Sequence, residues 1–484
     1  MERVLFVNPP MLFYSEEDLR KGSAPIRPNV SVPALLVLGE LRRAGYENHF
    51  IDMVADAGGG EKISRLRKNT FMLGMGFEEL SERVRDLKPS AVLIESMFTI
   101  NLEMVEKTAE AVKKVFREVP VIAGGSFAAE KPGWHMDCGS IDYVVMGDGE
   151  NVIAGLLEEL GKKNPDFSKM RGVAYRKGGI VVINEKPAPL PFDPAFDYEA
   201  VLFRENGEYR YPERLTRKSG IYSSHVKEGQ RACVFYGSRG CPMGCDYCSS
   251  YSREGKTIRH MGGERLFEQV RMLHENFGVT VFYNQADTFG FHGEDRKFLG
   301  MVGEYRKKHP EITLNNPNAF FVRLFFKNGG LDKEFVSLLK GAGFNVITLA
   351  IETFGQRFNR KIDFSVITPE KILDLCKHIK SVGMNIDIYM MYGFPGETPE
   401  ELGNDIEKAK RLVGVADEIS WANLILFPGS AYYRKAVAEG WFTEEEYRRR
   451  VRRGYSFGRI SDFFNFTEVP TQRLRTLFKN MHPD

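Results

Sequence analysis

Two runs of alternating strand and helix patterns constrain this chain more than any other feature. In the second half, apolar runs stand at Cys233–Tyr236, Val279–Asn284, Ile312–Asn315, Asn345–Ile351, Asn385–Met391 and Glu418–Leu426. Between them lie stretches such as Glu264–Asn276, Lys333–Gly341, Pro369–Val382 and Pro399–Leu412, with apolar residues at three- and four-residue intervals. Strands joined through helices run parallel with right-handed crossovers. Six such units predict an open, partial (β/α)6 barrel, whose chemistry belongs at the carboxyl ends of the strands. The first half repeats the alternation, with strands at Val4–Asn8, His49–Met53, Ala91–Ser96, Val119–Ala123 and Tyr143–Met146. Its helices fall at Val32–Arg43, Phe77–Leu87, Leu102–Phe116 and Glu150–Leu160. This half reads as a doubly wound, Rossmann-like sheet with a ligand crevice at its carboxyl edge. The fold class is therefore α/β throughout.

A hairpin at Gly172–Asn184, turning at Lys177-Gly178-Gly179, closes the first unit, which is expected to span 1–186. A connector of little periodicity follows at 187–230, then the barrel at 231–430 and an Arg-, Tyr- and Phe-rich extension at 431–484. Hydrophobic residues at 43% and charged ones at 27% are ordinary for a globular protein. A net charge of +2 gives no electrostatic case for nucleic acid, and no apolar run is long enough for a membrane span. The first residues enter a strand pattern at once, so neither a leader nor export is expected and the location should be cytoplasmic. Charged residues at Glu444–Arg453 read as a helix face, solvated by preference, whose basic end could instead meet an acidic partner.

The six cysteines are too few for a disulfide framework in a chain of 484 residues. Cys138, Cys233 and Cys376 are scattered and read as buried free thiols. The other three are concentrated in Gly240-Cys241-Pro242-Met243-Gly244-Cys245-Asp246-Tyr247-Cys248, directly after the first barrel strand. Three thiolates on one short loop can hold three irons of a cubane [4Fe–4S] cluster and leave the fourth open to a small molecule. A zinc site would need a fourth ligand at matching spacing, and no second cysteine pair exists. In the first half, three turns at the sheet's carboxyl edge would let backbone approach a ligand: Asn8-Pro9-Pro10, Gly124-Gly125-Ser126 and Gly147-Asp148-Gly149-Glu150. Such turns also arise for packing alone.

The C-x-x-x-C-x-x-C spacing with Tyr247 before the last cysteine resembles the signature of the radical SAM (S-adenosylmethionine) superfamily. The order V-N-P-P, G-G-S, G-D-G-E and then the cysteines resembles its cobalamin-binding subclass over roughly residues 1–430. That resemblance implies Cys241, Cys245 and Cys248 as cluster ligands, with SAM on the open iron. It implies Tyr247 beside the adenine, and Asp287 and Glu352 at the barrel mouth, where a carboxylate can accept from an ammonium or a ribose hydroxyl. Helix N-capping is the alternative role for Asp287. Glu352 stands in an A-I-E-T segment resembling the G-I-E-S of relatives. The turn Gly393-Phe394-Pro395-Gly396-Glu397-Thr398 resembles the group's G-x-P-G-E-T, with Thr398 expected to cap the next helix.

For cobalamin, the resemblance implies Pro9, Pro10, Gly124, Gly125, Ser126, Gly147, Asp148, Gly149 and Glu150 as contacts, with Met97, Phe98 and Thr99 below the corrin. The D-x-H-x-x-G motif that places a histidine on cobalt is absent. The corrin is then expected with its nucleotide tail displaced and no histidine from that loop. The implied activity is C-methylation of an unactivated sp3 carbon with methylcobalamin as donor, and an electron donor such as ferredoxin or flavodoxin as partner. The compact layout resembles enzymes that methylate glutamine or arginine in methyl-coenzyme M reductase, so a protein or peptide side chain is the expected acceptor. Alternatives are a small molecule, a tetrapyrrole undergoing methylation or ring closure, and a cobalamin sensor without catalysis.

Overall fold

The computed structural model describes residues 2–13, 30–57, 62–67, 70–211, 226–227, 229–452 and 465–481. Parts of the expected connector (212–225 and 228) and of the C-terminal extension (453–464) lie outside the described residues. The chain divides into two compact units, Met1–Gly229 with Phe442–Ser456, and Gln230–Trp441 with Phe457–Asp484.

The first unit is built on a seven-stranded sheet. Its spatial order is Ile180–Ile183, Val173–Lys177, Tyr143–Val145, Val121–Gly124, Ala91–Glu95, Arg3–Asn8, Glu47–Asp52. The last five run parallel, and the hairpin continues the sheet antiparallel on the Tyr143–Val145 side. Strands Arg3–Asn8, Ala91–Glu95 and Val121–Gly124 are nearly continuous apolar runs because helices cover both faces. Leu5, Val7, Val92, Ile94, Val121, Ala123 and Val144 form the core with the amphipathic helices Phe77–Leu87 and Leu102–Val115. Helix Val32–Arg43 starts where Ser31 Oγ accepts from Ala34 N–H and Pro33 occupies the first turn.

Strand order reverses between Arg3–Asn8 and Ala91–Glu95, so successive helices leave on opposite faces there. The crevice beyond such a switch point is where doubly wound sheets bind ligands. A small antiparallel sheet of Met11–Phe13, Thr70–Leu73 and Ile63–Arg67 is an addition that the periodicity did not predict.

The described part of the connector, up to Tyr211, packs on the first unit. Tyr198–Leu202 is helical, and Arg210 and Tyr211 are buried in the first unit. Arg210 donates to the Phe50 and Phe203 carbonyls and pairs with Asp56, while Tyr211 Oη donates to Asp52 Oδ2 at 3.0 Å.

The second unit has six principal parallel strands: Arg231–Phe235, Val279–Asn284, Thr313–Asn315, Val346–Glu352, Asn385–Tyr392 and Glu418–Asn423. The third and fourth touch through a single bridge, Leu314 to Phe344, and a short strand at Phe320–Phe321 pairs with the fourth near its carboxyl end. Phe235, Phe298, Phe320, Phe335 and Phe344 are buried in its interior. Helix Pro399–Lys410 begins with a reciprocal cap, Thr398 Oγ1 accepting from Glu401 N–H and Glu401 from Thr398 N–H, as expected for Thr398. Cys233 and Cys376 are buried and Cys138 half-buried.

Candidate active site

The cysteine loop leaves the first barrel strand at the carboxyl edge, and backbone contacts fix its course. Cys241 N–H donates to Gly255 O at 3.0 Å and Cys248 N–H to Cys245 O at 3.1 Å. Gly240 is held from both sides: its N–H donates to Glu254 Oε2 at 3.3 Å and its carbonyl accepts from Thr288 Oγ1 at 3.0 Å. At φ of 98° a Cβ on Gly240 would lie 2.1 Å from Thr257 O, so only glycine fits. Asp246 is anchored through its carbonyl to Tyr432 N–H at 2.9 Å and through its carboxylate to Arg360 at 2.9 Å.

The donor set fits a cluster. Cys241 and Cys245 are buried and Cys248 half-buried. Burial raises the Cys241 and Cys245 pKa values, and Cys248 adds to both, as convergent sulfurs do. Ser250 N–H donates to Cys248 Sγ at 3.4 Å, the kind of bond that a cluster thiolate accepts. All three thiols are unpaired with one another, as free cysteines.

Two partly buried ion pairs flank the loop. Arg253, on the short helix Ser250–Glu254, reaches Glu254 at 3.1 Å and Asp287 at 3.3 Å. Burial, then the Glu254 carboxylate, pushes the Asp287 carboxyl up, against the opposing pull of Arg253. Asp287 thus sits in an ion-pair network after the second strand, with no helix N-cap role. On the other side Lys361 Nζ lies 2.6 Å from Glu352 Oε1, both about one-eighth exposed at 12% and 13%. Burial works against the ammonium, but Glu352 and Cys245 outweigh it and the Lys361 pKa rises. The same ammonium lies 5.7 Å from the Tyr247 ring centroid and 5.1 Å from that of Phe321.

Glu352 itself has φ of 66°, a left-handed conformation costly for a residue with a Cβ, at a bulge in the fourth strand. Asn359 holds that conformation from behind: its Nδ2 donates to the Ile351 and Thr353 carbonyls, and its Oδ1 accepts from Lys361 and Ile362 N–H. Three buried amide nitrogens at the same edge lack partners, Gln285 Nε2, Asn315 Nδ2 and Asn316 Nδ2. Unpartnered buried donors beside two ion pairs are what a polar ligand such as SAM would satisfy.

Lys361, Arg253, Gln285, Asn315 and Asn316 were not singled out from sequence. Lys361 follows Glu352 by nine residues in a segment without periodicity, so only the folded loop brings them together. Arg253 carried a weak signal, as the first cation after the cysteines. Tyr247 packs edge-on against Phe394 at 5.9 Å. The Gly393–Thr398 turn has Gly393 N–H donating to Glu397 Oε2 at 2.7 Å, and burial raises the Glu397 pKa to about 7.

In the first unit, Asn8-Pro9-Pro10 and Met97-Phe98-Thr99 lie on the two sides of the sheet's switch point. Pro9 and Pro10 are buried. Phe98 is half exposed at 50%, Thr99 is buried, and Met97 Sδ accepts from Ser126 Oγ at 3.7 Å. Gly125 has φ of 109°, and a Cβ there would press on Ser96 O at 2.8 Å, so the glycine serves chain packing as well as an open edge. A Cβ on Gly147 would press on Pro187 at 3.1 Å, and Gly149 to Asn151 form a single 3-10 turn with Glu150 buried. The helix expected from Glu150 begins at Ile153. Asp148 caps that turn by position. Gly124 ends the fourth strand.

His135 lies next to this edge, with Nε2 2.8 Å from Ser96 Oγ and Nδ1 2.9 Å from Lys131 O. Burial lowers its pKa to about 4, and both nitrogens are occupied, so it is a satisfied core histidine. Small or apolar groups line this edge (Pro9, Pro10, Gly124 and the half-exposed Phe98), the surface a flat macrocycle would rest on, and among the described residues it offers no free imidazole to a metal.

Comparison with known proteins agrees with both halves. Residues 235–409 match the radical SAM superfamily, and residues 30–157 match the B12 binding domain. The chain carries an N-terminal B12-binding domain followed by a radical SAM domain. Its cofactors are a [4Fe–4S] cluster, SAM and cobalamin.

An uncharacterized methyltransferase of Pyrococcus horikoshii is 25% identical over 77% of this chain and 75% of its own. Cytidylyl-2-hydroxyethylphosphonate methyltransferase of Streptomyces wedmorensis is 22% identical over 94% of this chain and 85% of its own. Both are named as methyltransferases. In fold it resembles the radical SAM methyltransferase TsrM of Kitasatospora setae, solved with tryptophan and a SAM analogue. That TM-score is 0.64 at 15% identity, over 91% of this chain and 76% of TsrM. It also resembles the cobalamin-dependent enzyme OxsB, at a TM-score of 0.62 and 14% identity, over all of this chain and 61% of OxsB. Among the described residues no helix is long and apolar enough to cross a membrane.

Proposed function

We propose that this enzyme transfers a methyl group to an unactivated sp3 carbon by a radical route. The observation that carries the reading is the convergence, on one edge of the barrel, of three free cysteines, two partly buried ion pairs and three unpartnered amides. When bound, the cluster and SAM supply a 5′-deoxyadenosyl radical that abstracts hydrogen, and cobalamin supplies the methyl group. Cys241, Cys245 and Cys248 hold the cluster. Lys361 and Arg253 offer cations to the carboxylate of SAM, and Asp287 and Glu352 offer carboxylates to its ammonium or ribose hydroxyls. Tyr247 lies against the adenine. In the first unit Pro9, Pro10, Gly124, Gly125, Ser126 and the 147–150 turn form the rest for cobalamin, with Met97, Phe98 and Thr99 beneath it. The reductant is a ferredoxin or flavodoxin, and the cytoplasm suits so open a cluster.

The acceptor favoured by the relatives is a small molecule, since the Streptomyces wedmorensis methyltransferase is named for a cytidylyl phosphonate. An amino-acid side chain, as in a peptide or in methyl-coenzyme M reductase, is the second reading, favoured by the tryptophan in TsrM. On helix Glu444–Arg452, Arg448 and Arg452 pair with Asp137 and Glu106 of the first unit and are not free to meet an acidic acceptor.

Incubation of the reduced holoenzyme with methyl-deuterated SAM and candidate acceptors tests the reading. Label on carbon, with S-adenosylhomocysteine and 5′-deoxyadenosine formed in near-equal amounts, is the expected result. Methyl transfer without 5′-deoxyadenosine would overturn the radical route. Labelling of peptides alone would overturn the small-molecule acceptor and leave the route standing.

A further inference from the structure

At the amino edge of the barrel strands, opposite the cysteine loop, two histidines and a glutamate converge. His274 lies in the last turn of helix Gly263–Phe277, and His309 and Glu311 lie in the link from helix Gly293–Arg306 to strand Thr313–Asn315. His274 Nε2 is 3.2 Å from Glu311 Oε1 and His309 Nδ1 is 3.5 Å from the same oxygen. All three candidate ligand atoms fall within 4.8 Å of one another. We propose that His274, His309 and Glu311 bind a Zn2+ ion that clips two successive crossovers of the barrel together.

Three features beyond proximity support a built site. Four ligands at zinc–nitrogen and zinc–oxygen distances of about 2.0 Å in a tetrahedron lie about 3.3 Å apart, and two of the three separations here already match. The outer nitrogen of His274 is taken: Nδ1 meets Tyr305 Oη at 3.0 Å, and that hydroxyl donates to Glu275 Oε1 at 3.3 Å. A metal-bound imidazole is oriented in this manner by a partner on its far nitrogen, which leaves Nε2 for the ion. The link carrying the other two ligands is clamped by Arg306, which donates to the Ile312, Pro310 and Gly341 carbonyls.

The His309 ring packs on Tyr305 with centroids 4.3 Å apart, so its position is also set before any ion arrives. Two imidazoles and one carboxylate are a donor set that suits zinc, with water in the fourth place. Exposure rises from 14% at His274 through 34% at His309 to 43% at Glu311, which gives the ion a path from solvent. The strand between the two edges has six residues, so the site stands about 20 Å from the cysteine loop and has no part in its chemistry. The alternative is a hydrogen-bonded trio in which both imidazoles donate to one carboxylate oxygen.

The test uses the cluster-loaded full chain, so that the cysteines are already occupied. It is dialysed against buffered Zn2+ and examined by metal analysis and zinc-edge X-ray absorption. The expected result is about one zinc per chain with only nitrogen and oxygen neighbours near 2.0 Å. His309→Ala, at a partly exposed position, should lose that zinc while iron content and SAM cleavage stay unchanged; Glu311→Gln should weaken binding. Zinc content equal in wild type and His309→Ala, or sulfur at 2.3 Å in the absorption spectrum, would overturn the proposal.

Discussion

The pair Glu352–Lys361, largely buried, joins backbone strain to charge in the site. Glu352 is held at a left-handed φ, and its carboxylate is compensated by one ammonium at 2.6 Å. Removing one partner of a buried pair leaves an uncompensated charge and costs about 3–5 kcal/mol, whereas removing both is far milder. Lys361→Met should therefore destabilise the barrel unit by a few kcal/mol, and Glu352→Gln in the same chain should recover much of the loss. Denaturant unfolding of the three proteins checks this, and equal losses in the single and double variants would refute it.

A second carboxyl makes a prediction in pH. Burial raises the Glu95 pKa from 4.5 to about 7, against the help of Ser31 Oγ donating at 2.5 Å. The folded state thus holds the proton more tightly than the unfolded chain. Stability is lost as pH rises from about 4.5 to about 7 and levels off above, a change on the order of 3 kcal/mol. Glu95→Gln should match wild type in thermal unfolding at pH 4.5 and exceed it at pH 8. A difference independent of pH would show that the carboxyl does not carry the effect.

At the scale of elements, the sequence was most legible where one period dominates. Val279–Asn284, Lys333–Gly341, Val32–Arg43 and Phe77–Leu87 appear with the expected bounds, because buried parallel strands are short apolar runs and capped amphipathic helices declare their ends. Helix Gly293–Arg306 was missed. It has glycines at 293, 300 and 303, and its cap is His292, an uncommon capping residue. The small sheet around Thr70–Leu73 was illegible because its strands are three to five residues long and pair across an intervening helix and strand. In the site, the cysteine loop was legible because its ligands are local in sequence. The cations were not, since Lys361 and Arg253 reach Glu352 and Asp287 only through tertiary loops. The glycine turns of the first unit were legible as turns, but packing needs of their own accompany any ligand role at Gly125 and Gly147.

At the scale of the whole molecule, the chain leaves the barrel unit at Trp441 and contributes helix Glu444–Arg452 to the first unit, against the expectation of a solvated face. Tyr447 and Val451 on that helix are buried, at 0% and 1% exposure. Tyr447 packs on Trp134 with ring centroids 6.4 Å apart and on Phe442 at 5.2 Å. Around this apolar seam Lys131 pairs with Glu444, and Arg448 donates to Trp134 O at 3.0 Å while its guanidinium lies 5.5 Å from the Trp134 ring. The rim pairs are worth little singly, so the buried ring supplies most of the attachment. Later in the chain, Gly396 N–H donates to Phe466 O at 2.8 Å and Phe466 stacks on Trp441 at 5.0 Å, so the extension serves both units in turn. Tyr447→Ala should remove about 3 kcal/mol from the first unit by leaving a cavity against Trp134. Hydrogen exchange should then quicken in Leu102–Val115 and Pro132–Met136, which carry Glu106 and Trp134, while the barrel helices Pro369–Ser381 and Pro399–Lys410 keep their protection. Faster exchange in those barrel helices instead, with the first unit unchanged, would assign the helix to the wrong unit.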